Sequence, residues 1–157
     1  MAGKPAAAQA GGGGRPSLRE SIHIDAPPES VYEYFTRPEL LIRWMGESAI
    51  IEPRPGGSFA VDITGQEVRG EYVLLEPPHR LVISWGYAGS DEVPPGSSTV
   101  EVRFIATGGG TLVELEHRDL PEARRAEHVV GWRHYLARLA SRDPGPDPGM
   151  PVVPPGG

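Results

Sequence analysis

Cysteine is absent from this chain of 157 residues, and so is any run of 18 apolar residues. The first absence excludes disulfide bonds, thiolate metal sites and a cysteine nucleophile, and it fits a reducing compartment. The second predicts that no helix spans a membrane. Near the N-terminus, the alanines at 6–8 form too short an apolar segment for a secretory signal. We therefore expect a cytoplasmic protein.

Positive charge is in short supply, with 15 Lys and Arg against 21 Asp and Glu, which gives a net charge of −6. This balance disfavours nucleic acid and anionic membrane as partners, because both bind mainly through Lys and Arg. The five histidines are scattered and show no His-Glu-x-x-His zinc spacing. A phosphate-binding glycine loop and a Gly-x-Ser-x-Gly elbow are also missing. We predict no metal and no cofactor.

Glycine and proline are abundant, at 21 and 18 residues, and they concentrate at the two ends of the chain. We predict a disordered leader over 1–16 and a disordered Pro/Gly-rich tail over 143–157, since neither segment has the large apolar residues of a core. The segment between them, 17–142, is long enough to form one ordinary domain with its own core.

Alternating apolar residues predict about seven short strands. They cover Leu18–Asp25, Ala49–Glu52, Ser58–Ile63, Glu67–Leu75, Arg80–Trp85, Ser98–Ile105 and Thr111–Arg118. Two short helices are predicted between the first two strands, the second opened by a capping-box spacing of Thr36 and Glu39. A long polar loop is predicted over 86–96.

A long amphipathic helix is predicted over Pro121–Ser141. Five of its residues recur at three- and four-residue steps and share one face: Val129, Trp132, Leu136, Leu139 and Ala140. A sheet with one buried face needs such a cover. The sequence therefore predicts an α+β fold, in which a curved antiparallel sheet of six to seven strands, two short helices and one long C-terminal helix enclose a cavity.

A set of short motifs runs along the chain in the same order as these elements. The motifs are Ile24–Tyr32, Leu41–Trp44, Pro55–Phe59, Gly70–Tyr72, Pro77–Trp85, Gly110–His117 and Gly131–Leu136. As an ordered set they resemble the START-related helix-grip (SRPBCC) superfamily, and within it the Aha-type family of heat-shock-protein-90 ATPase activators. The resemblance implies a START/Bet v-like fold with a cavity between sheet and helix. It does not by itself imply co-chaperone activity.

The predicted ligand-binding side chains lie on the inward faces of the strands and of the long helix. They are Trp44, Phe59, Trp85, Val113, Leu115, His117, Trp132 and Leu136. The three tryptophans serve either as plain core or as a stacking wall for an aromatic ligand. The histidine either contacts a ligand or moves a proton, or it is a strand-end residue bonded to backbone or solvent.

A second polar set, Glu67, Arg69 and Glu71, shares one strand face. It forms either an inward-facing polar group or an exterior row of ion pairs, and the exterior is favoured for charged residues.

These features favour a binding module for a small hydrophobic or aromatic molecule, used in transport, sequestration or sensing. An alternative is a cyclase- or aromatase-like enzyme in which His117 transfers protons. The sequence shows no acid–base pair, which weighs against catalysis. A further alternative is a protein-interaction module that modulates a chaperone ATPase in a stress response. A homodimer through the exposed edge of the first strand is also open.

Overall fold

A computed structural model describes residues 17–142 and Gly145 of the chain. In chain order, the elements are β1 (Leu18–Ile24), α1 (Pro28–Glu33), α2 (Pro38–Trp44), β2 (Ser48–Ile51), β3 (Ser58–Ile63), β4 (Gln66–Glu76), β5 (Arg80–Trp85), β6 (Ser98–Thr107), β7 (Gly110–Arg118) and α3 (Glu122–Ser141). The predicted leader lies outside the described residues, and so does the predicted tail except for Gly145.

The strands form one antiparallel sheet in the order β1-β7-β6-β5-β4-β3-β2. Strands that follow one another from β2 to β7 are neighbours, and β1 joins the far edge beside β7. Short turns make this possible, because Gly65, Gly108 and Gly109 adopt the positive φ that tight hairpin turns require. The predicted curved sheet covered by a long C-terminal helix is confirmed.

One face of the sheet packs beneath α3. On β7, Thr111, Val113, Leu115 and His117 are all buried, whereas Glu114 between them is exposed. The helix contributes His128, Gly131, Trp132, Tyr135, Leu136, Arg138 and Leu139 to the same interior. The buried stripe is therefore broader and more polar than the predicted one, whose members Val129 and Ala140 are only partly buried.

The end of α2 is held by a buried arginine of α3. The Arg138 side chain donates from Nε to the carbonyl of Trp44 at 3.2 Å and from Nη2 to the carbonyl of Arg43 at 3.2 Å. It also reaches the carbonyl of Gly145 at 2.8 Å. Carbonyls at the C-terminus of a helix have no intrahelical partner, so this contact satisfies α2 and fastens it to α3.

The predicted capping box at the start of α2 is wrong. Arg37, not Thr36, occupies the N-cap position, and no side chain caps the helix there. The Thr36 hydroxyl instead donates back to the carbonyl of Tyr32 at 3.4 Å. Pro38, at the first helical position, has no backbone N–H. One fewer donor at the start of α2 therefore needs a capping acceptor.

On the outer face of the sheet, Glu101 is only 4% exposed and binds three arginines, Arg80, Arg103 and Arg118, at 2.7–2.8 Å. Burial alone would raise its pKa, but the bonds from Arg118 and Arg80 hold the pKa below its usual value. We expect Glu101→Gln to lower the free energy of unfolding by about 1–3 kcal/mol, because it leaves two partly buried arginines and the exposed Arg103 without their shared anion.

Urea denaturation followed by circular dichroism measures the effect of Glu101→Gln. The matched control is Glu114→Gln, an exposed residue on the neighbouring strand, for which we expect a change within about 0.5 kcal/mol. Equal effects of the two substitutions would contradict a structural role for the arginine cluster.

Candidate functional site

The loop over 86–96 is polar in sequence but firmly anchored in the structure. The Ala88 N–H bonds the carbonyl of Glu67 at 2.9 Å, and the Tyr87 N–H bonds that of Val93 at 2.8 Å. Val93 is fully buried. At Gly86 a Cβ atom would lie 1.9 Å from the carbonyl oxygen of Pro94, so only glycine allows the loop to close this tightly. The closed loop places the Tyr87 side chain beneath α3.

A small cavity lies between this loop, the sheet and α3. Trp85 and Trp132 form aromatic walls, Met45 adds an apolar side, and Tyr87 and His128 supply polar atoms. The cavity has a volume of about 40 Å³, which is space for water molecules rather than for an organic ligand. The empty space between the lining atoms is about 410 Å³ when the open solvent at the mouth of the cavity is included.

Two side chains mark the mouth of the cavity. Gln66, at the start of β4, is exposed, and Glu127, on α3, is half-buried. Glu127 forms an ion pair with Arg124, which also reaches Glu92 of the loop at 2.9 Å. The loop and the first turns of α3 are thus joined at the surface directly beside the opening.

A chain of hydrogen bonds runs along the cavity from the sheet to α3. The indole Nε1 of Trp85 donates to the Tyr87 hydroxyl oxygen at 3.0 Å, and this hydroxyl lies 2.9 Å from His128 Nε2. The other ring nitrogen, Nδ1, is 2.7 Å from the carbonyl oxygen of Arg124. Because a carbonyl only accepts, His128 Nδ1 carries a proton, and the neutral ring accepts the tyrosine proton at Nε2.

A second chain lies one layer deeper. The indole of Trp132 donates to His117 Nδ1 at 3.0 Å, and His117 Nε2 lies 2.8 Å from the Ser98 hydroxyl. That hydroxyl donates to the carbonyl of Trp85 at 2.7 Å. Since an indole N–H only donates, Nδ1 of His117 is the acceptor and Nε2 carries the proton. Both histidines therefore have a fixed tautomer, and their rings are 5.4 Å apart.

Burial sets the protonation of this cluster. It lowers the pKa of His117 well below the usual value, helped by the nearby His128 and by Arg118. It also lowers the pKa of His128, against the opposing effects of the Arg124 carbonyl and Glu127. Burial raises the pKa of Tyr87 to about 12, although the bond from Trp85 acts the other way. At neutral pH all three side chains are uncharged.

The structure brings only part of the predicted ligand-binding set to the cavity wall. Trp85 and Trp132 line it, and His117 is completely buried directly behind Trp132. The remaining members, Trp44, Phe59, Val113, Leu115 and Leu136, are buried in the common core. All three indoles have a protein acceptor, that of Trp44 being the carbonyl of Tyr34 at 2.9 Å. A role of these eight residues in binding stays a prediction.

Sequence reasoning missed three residues of the two hydrogen-bond chains, Tyr87, His128 and Ser98. Tyr87 lies in a segment that reads as a polar loop, and Ser98 is the first residue of a strand. The available signal was an aromatic residue two positions after Trp85, together with a histidine four positions before Trp132 on the predicted inner face of the helix. Arg69 pairs at 3.0 Å with Asp62, which is outside the predicted polar set, and Glu67 and Glu71 are exposed.

Among residues 17–142 and Gly145, no group of three or more His, Asp or Glu side chains is arranged to hold a metal ion. Within the same residues, none of the helices is long and apolar enough to cross a membrane.

Comparison with known proteins agrees with this architecture. The family described as activator of Hsp90 ATPase homolog 1-like protein matches residues 25–142. The chain belongs to this family. The human activator of 90 kDa heat shock protein ATPase homolog 1 is 29% identical over 109 residues, which are 69% of this chain and 31% of the human protein. The chain thus spans about a third of the length of the curated relatives it matches.

Two solved structures of similar proteins share the fold. An AHSA1-like protein from Rhizobium etli is 49% identical with a TM-score of 0.67, over 84% of this chain and 86% of that protein. CalU16 from Micromonospora echinospora is 36% identical with a TM-score of 0.68, over 80% of this chain and 74% of CalU16. The helix-grip fold and the Aha-type resemblance predicted from the sequence are confirmed.

Proposed function

We propose that this AHSA1-like protein binds a small, neutral, hydrophobic or aromatic molecule in the cavity between the sheet and α3. One observation carries the proposal: two tryptophans and a tyrosine surround a cavity in which both indoles, the Tyr87 hydroxyl and His128 already have protein partners. Trp85 and Trp132 lie 5.1 Å apart, centroid to centroid, and offer apolar ring surface beside the opening. Covering such surface with a ligand is favourable by about 25 cal/mol per Å².

The cavity must widen to admit an organic molecule, because its present volume is about 40 Å³. Met45, which lines it, has a flexible unbranched side chain that repacks at small cost. The exposed Gln66 at the mouth is also free of the core. Widening at these two positions leaves the anchored loop and the two hydrogen-bond chains in place.

Filling the cavity from α3 tests the proposal. Gly131 is buried and lines the cavity, so a leucine side chain at this position projects into the space that the ligand would occupy. We expect Gly131→Leu to abolish uptake of a neutral apolar fluorescent probe, such as N-phenyl-1-naphthylamine, that the unchanged protein binds. Probe fluorescence and quenching of the tryptophan emission measure the uptake.

Ala137→Leu is the matched control, because Ala137 lies on the exposed side of the same helix. It should leave uptake unchanged. Should Gly131→Leu fail to fold, as overpacking can cause, Gly131→Ala fills part of the cavity at little risk and should weaken uptake. Equal uptake by the unchanged protein and the folded Gly131 variants would refute binding in this cavity. Native mass spectrometry of protein purified from its host would then identify any natural ligand elsewhere.

Modulation of a chaperone ATPase is the second candidate function. It is favoured by the 29% identity to the human protein named as an activator of the 90 kDa heat shock protein ATPase. The match covers 31% of that protein, so any shared activity must reside in the matched part. An ATPase assay of the host's 90 kDa chaperone, with and without this protein, tests it: a rate that does not change sinks this candidate.

A further inference from the structure

Groups that can only donate or only accept fix the direction of the hydrogen bonds at the cavity wall. An indole N–H always donates and a backbone carbonyl always accepts. Trp85 begins one chain and the carbonyl of Arg124 ends it, so every proton between them has a fixed place. The hydroxyl proton of Tyr87 points to His128, and it is not free to meet a ligand.

The other indole and imidazole donors at the cavity wall are committed in the same way. The N–H of Trp85 is used by Tyr87, that of Trp132 by His117, and the Nδ1–H of His128 by a helix carbonyl. Of these groups, only the Tyr87 oxygen can still accept a hydrogen bond from a ligand in the cavity. At the mouth, the Gln66 amide can donate or accept, and the Glu127 carboxylate adds acceptor oxygens, one of which already accepts from Arg124.

We propose that the cavity selects neutral aromatic molecules bearing an N–H or O–H group, which donates to the Tyr87 oxygen, over molecules of the same shape that carry only an acceptor. This inference rests on the proposed function and adds the chemical class of the ligand. A carbonyl or ether oxygen directed at Tyr87 meets a lone pair instead of a proton. A ligand carboxylate likewise carries only acceptor oxygens and meets the same lone pair.

Indole and benzofuran test the selection, because the two rings have nearly the same shape and differ in an N–H against an oxygen. Titrations followed by ¹H–¹⁵N NMR report on the three tryptophan indole signals, one per tryptophan in the sequence. We expect indole to bind about fivefold more tightly than benzofuran, the effect of one neutral hydrogen bond. The indole signals of Trp85 and Trp132 should shift, and that of Trp44 should not.

A variant isolates the origin of the preference. His128→Leu removes the acceptor of the Tyr87 proton and fills the space of the imidazole with an apolar side chain. The Tyr87 hydroxyl is then free to donate to the oxygen of benzofuran. We expect the fivefold preference for indole to vanish in His128→Leu. It should persist in His134→Leu, the same substitution on α3 at a residue that does not line the cavity.

The outcomes distinguish failure of ligand binding from failure of the selection for N–H or O–H groups. Failure of both ligands to bind the unchanged protein overturns the proposed function and this inference with it. Equal binding of the two ligands overturns the inference alone and leaves an apolar binding site. A preference for indole that survives in His128→Leu also overturns it, because the Tyr87–His128 bond would then have no part in the selection.

Discussion

Replacing Trp132 by alanine should lower the free energy of unfolding by about 3–5 kcal/mol, the range for loss of a buried tryptophan. The side chain is 5% exposed and packs between Trp85 and His117. Its loss removes the aromatic packing and leaves Nδ1 of His117 without a donor in the interior. Because domains of this size are stable by only about 5–15 kcal/mol, this one change can remove a large part of the total.

Urea denaturation followed by far-UV circular dichroism measures this loss. Trp132→Phe separates the two contributions, since it keeps most of the ring and removes only the N–H donor; we expect about 1–3 kcal/mol from the unsatisfied imidazole. A double-mutant cycle with His117→Ala gives the coupling between the two side chains. A coupling energy near zero would contradict a structural hydrogen bond between Trp132 and His117.

Much of the fold could be predicted because each strand carries its own signal. The predicted bounds of β3 and β5 coincide with the observed ones, Ser58–Ile63 and Arg80–Trp85. Glycine and proline punctuate the chain before both strands, and apolar residues then alternate cleanly. The other strands differ at their ends by up to two residues, where alternation fades into turns.

The site was harder to predict because its bonds join distant parts of the chain. Tyr87 and His128 are 41 positions apart, and Ser98 and His117 are 19 apart. Periodicity reports which face of an element is buried, and it placed His117 correctly beneath α3. Periodicity does not show which polar group of another element lies opposite a buried side chain, so it could not identify the partners of His117. His128 was considered only as one of the five scattered histidines that show no zinc spacing.

The structure also bears on the enzyme alternative. The sequence showed no base with an orienting partner, whereas Tyr87, His128 and the carbonyl of Arg124 form such an arrangement. Burial acts against proton transfer along it, since the pKa of Tyr87 rises to about 12 and that of His128 falls. A good acid–base pair has pKa values near the working pH. The arrangement is thus better suited to fixing hydrogen-bond directions than to moving protons, which favours binding over catalysis.

The same two histidines should make the protein sensitive to mild acid. Burial lowers the pKa of His117 and of His128 in the folded chain, whereas unfolding returns both to about 6.5. Below about pH 6.5 the unfolded chain therefore binds more protons than the folded chain. By linkage, the free energy of unfolding is highest above this pH and falls as the pH drops toward the lowered folded-state values.

The slope should approach about 1.4 kcal/mol per pH unit from His117, whose pKa lies well below its usual value, and the lowered pKa of His128 adds to it. Urea denaturation at several values between about pH 7.5 and 5 measures it, a window that lies above the usual range for carboxylates. His117→Gln should remove the larger part of the slope, and His128→Gln a smaller part. A flat profile in the unchanged protein would show that protons reach both imidazoles without breaking the two hydrogen-bond chains. We do not expect a flat profile, because protonation places a hydrogen on Nδ1 of His117, the atom that accepts the hydrogen bond from the Trp132 N–H. Two donors facing each other cannot form that bond.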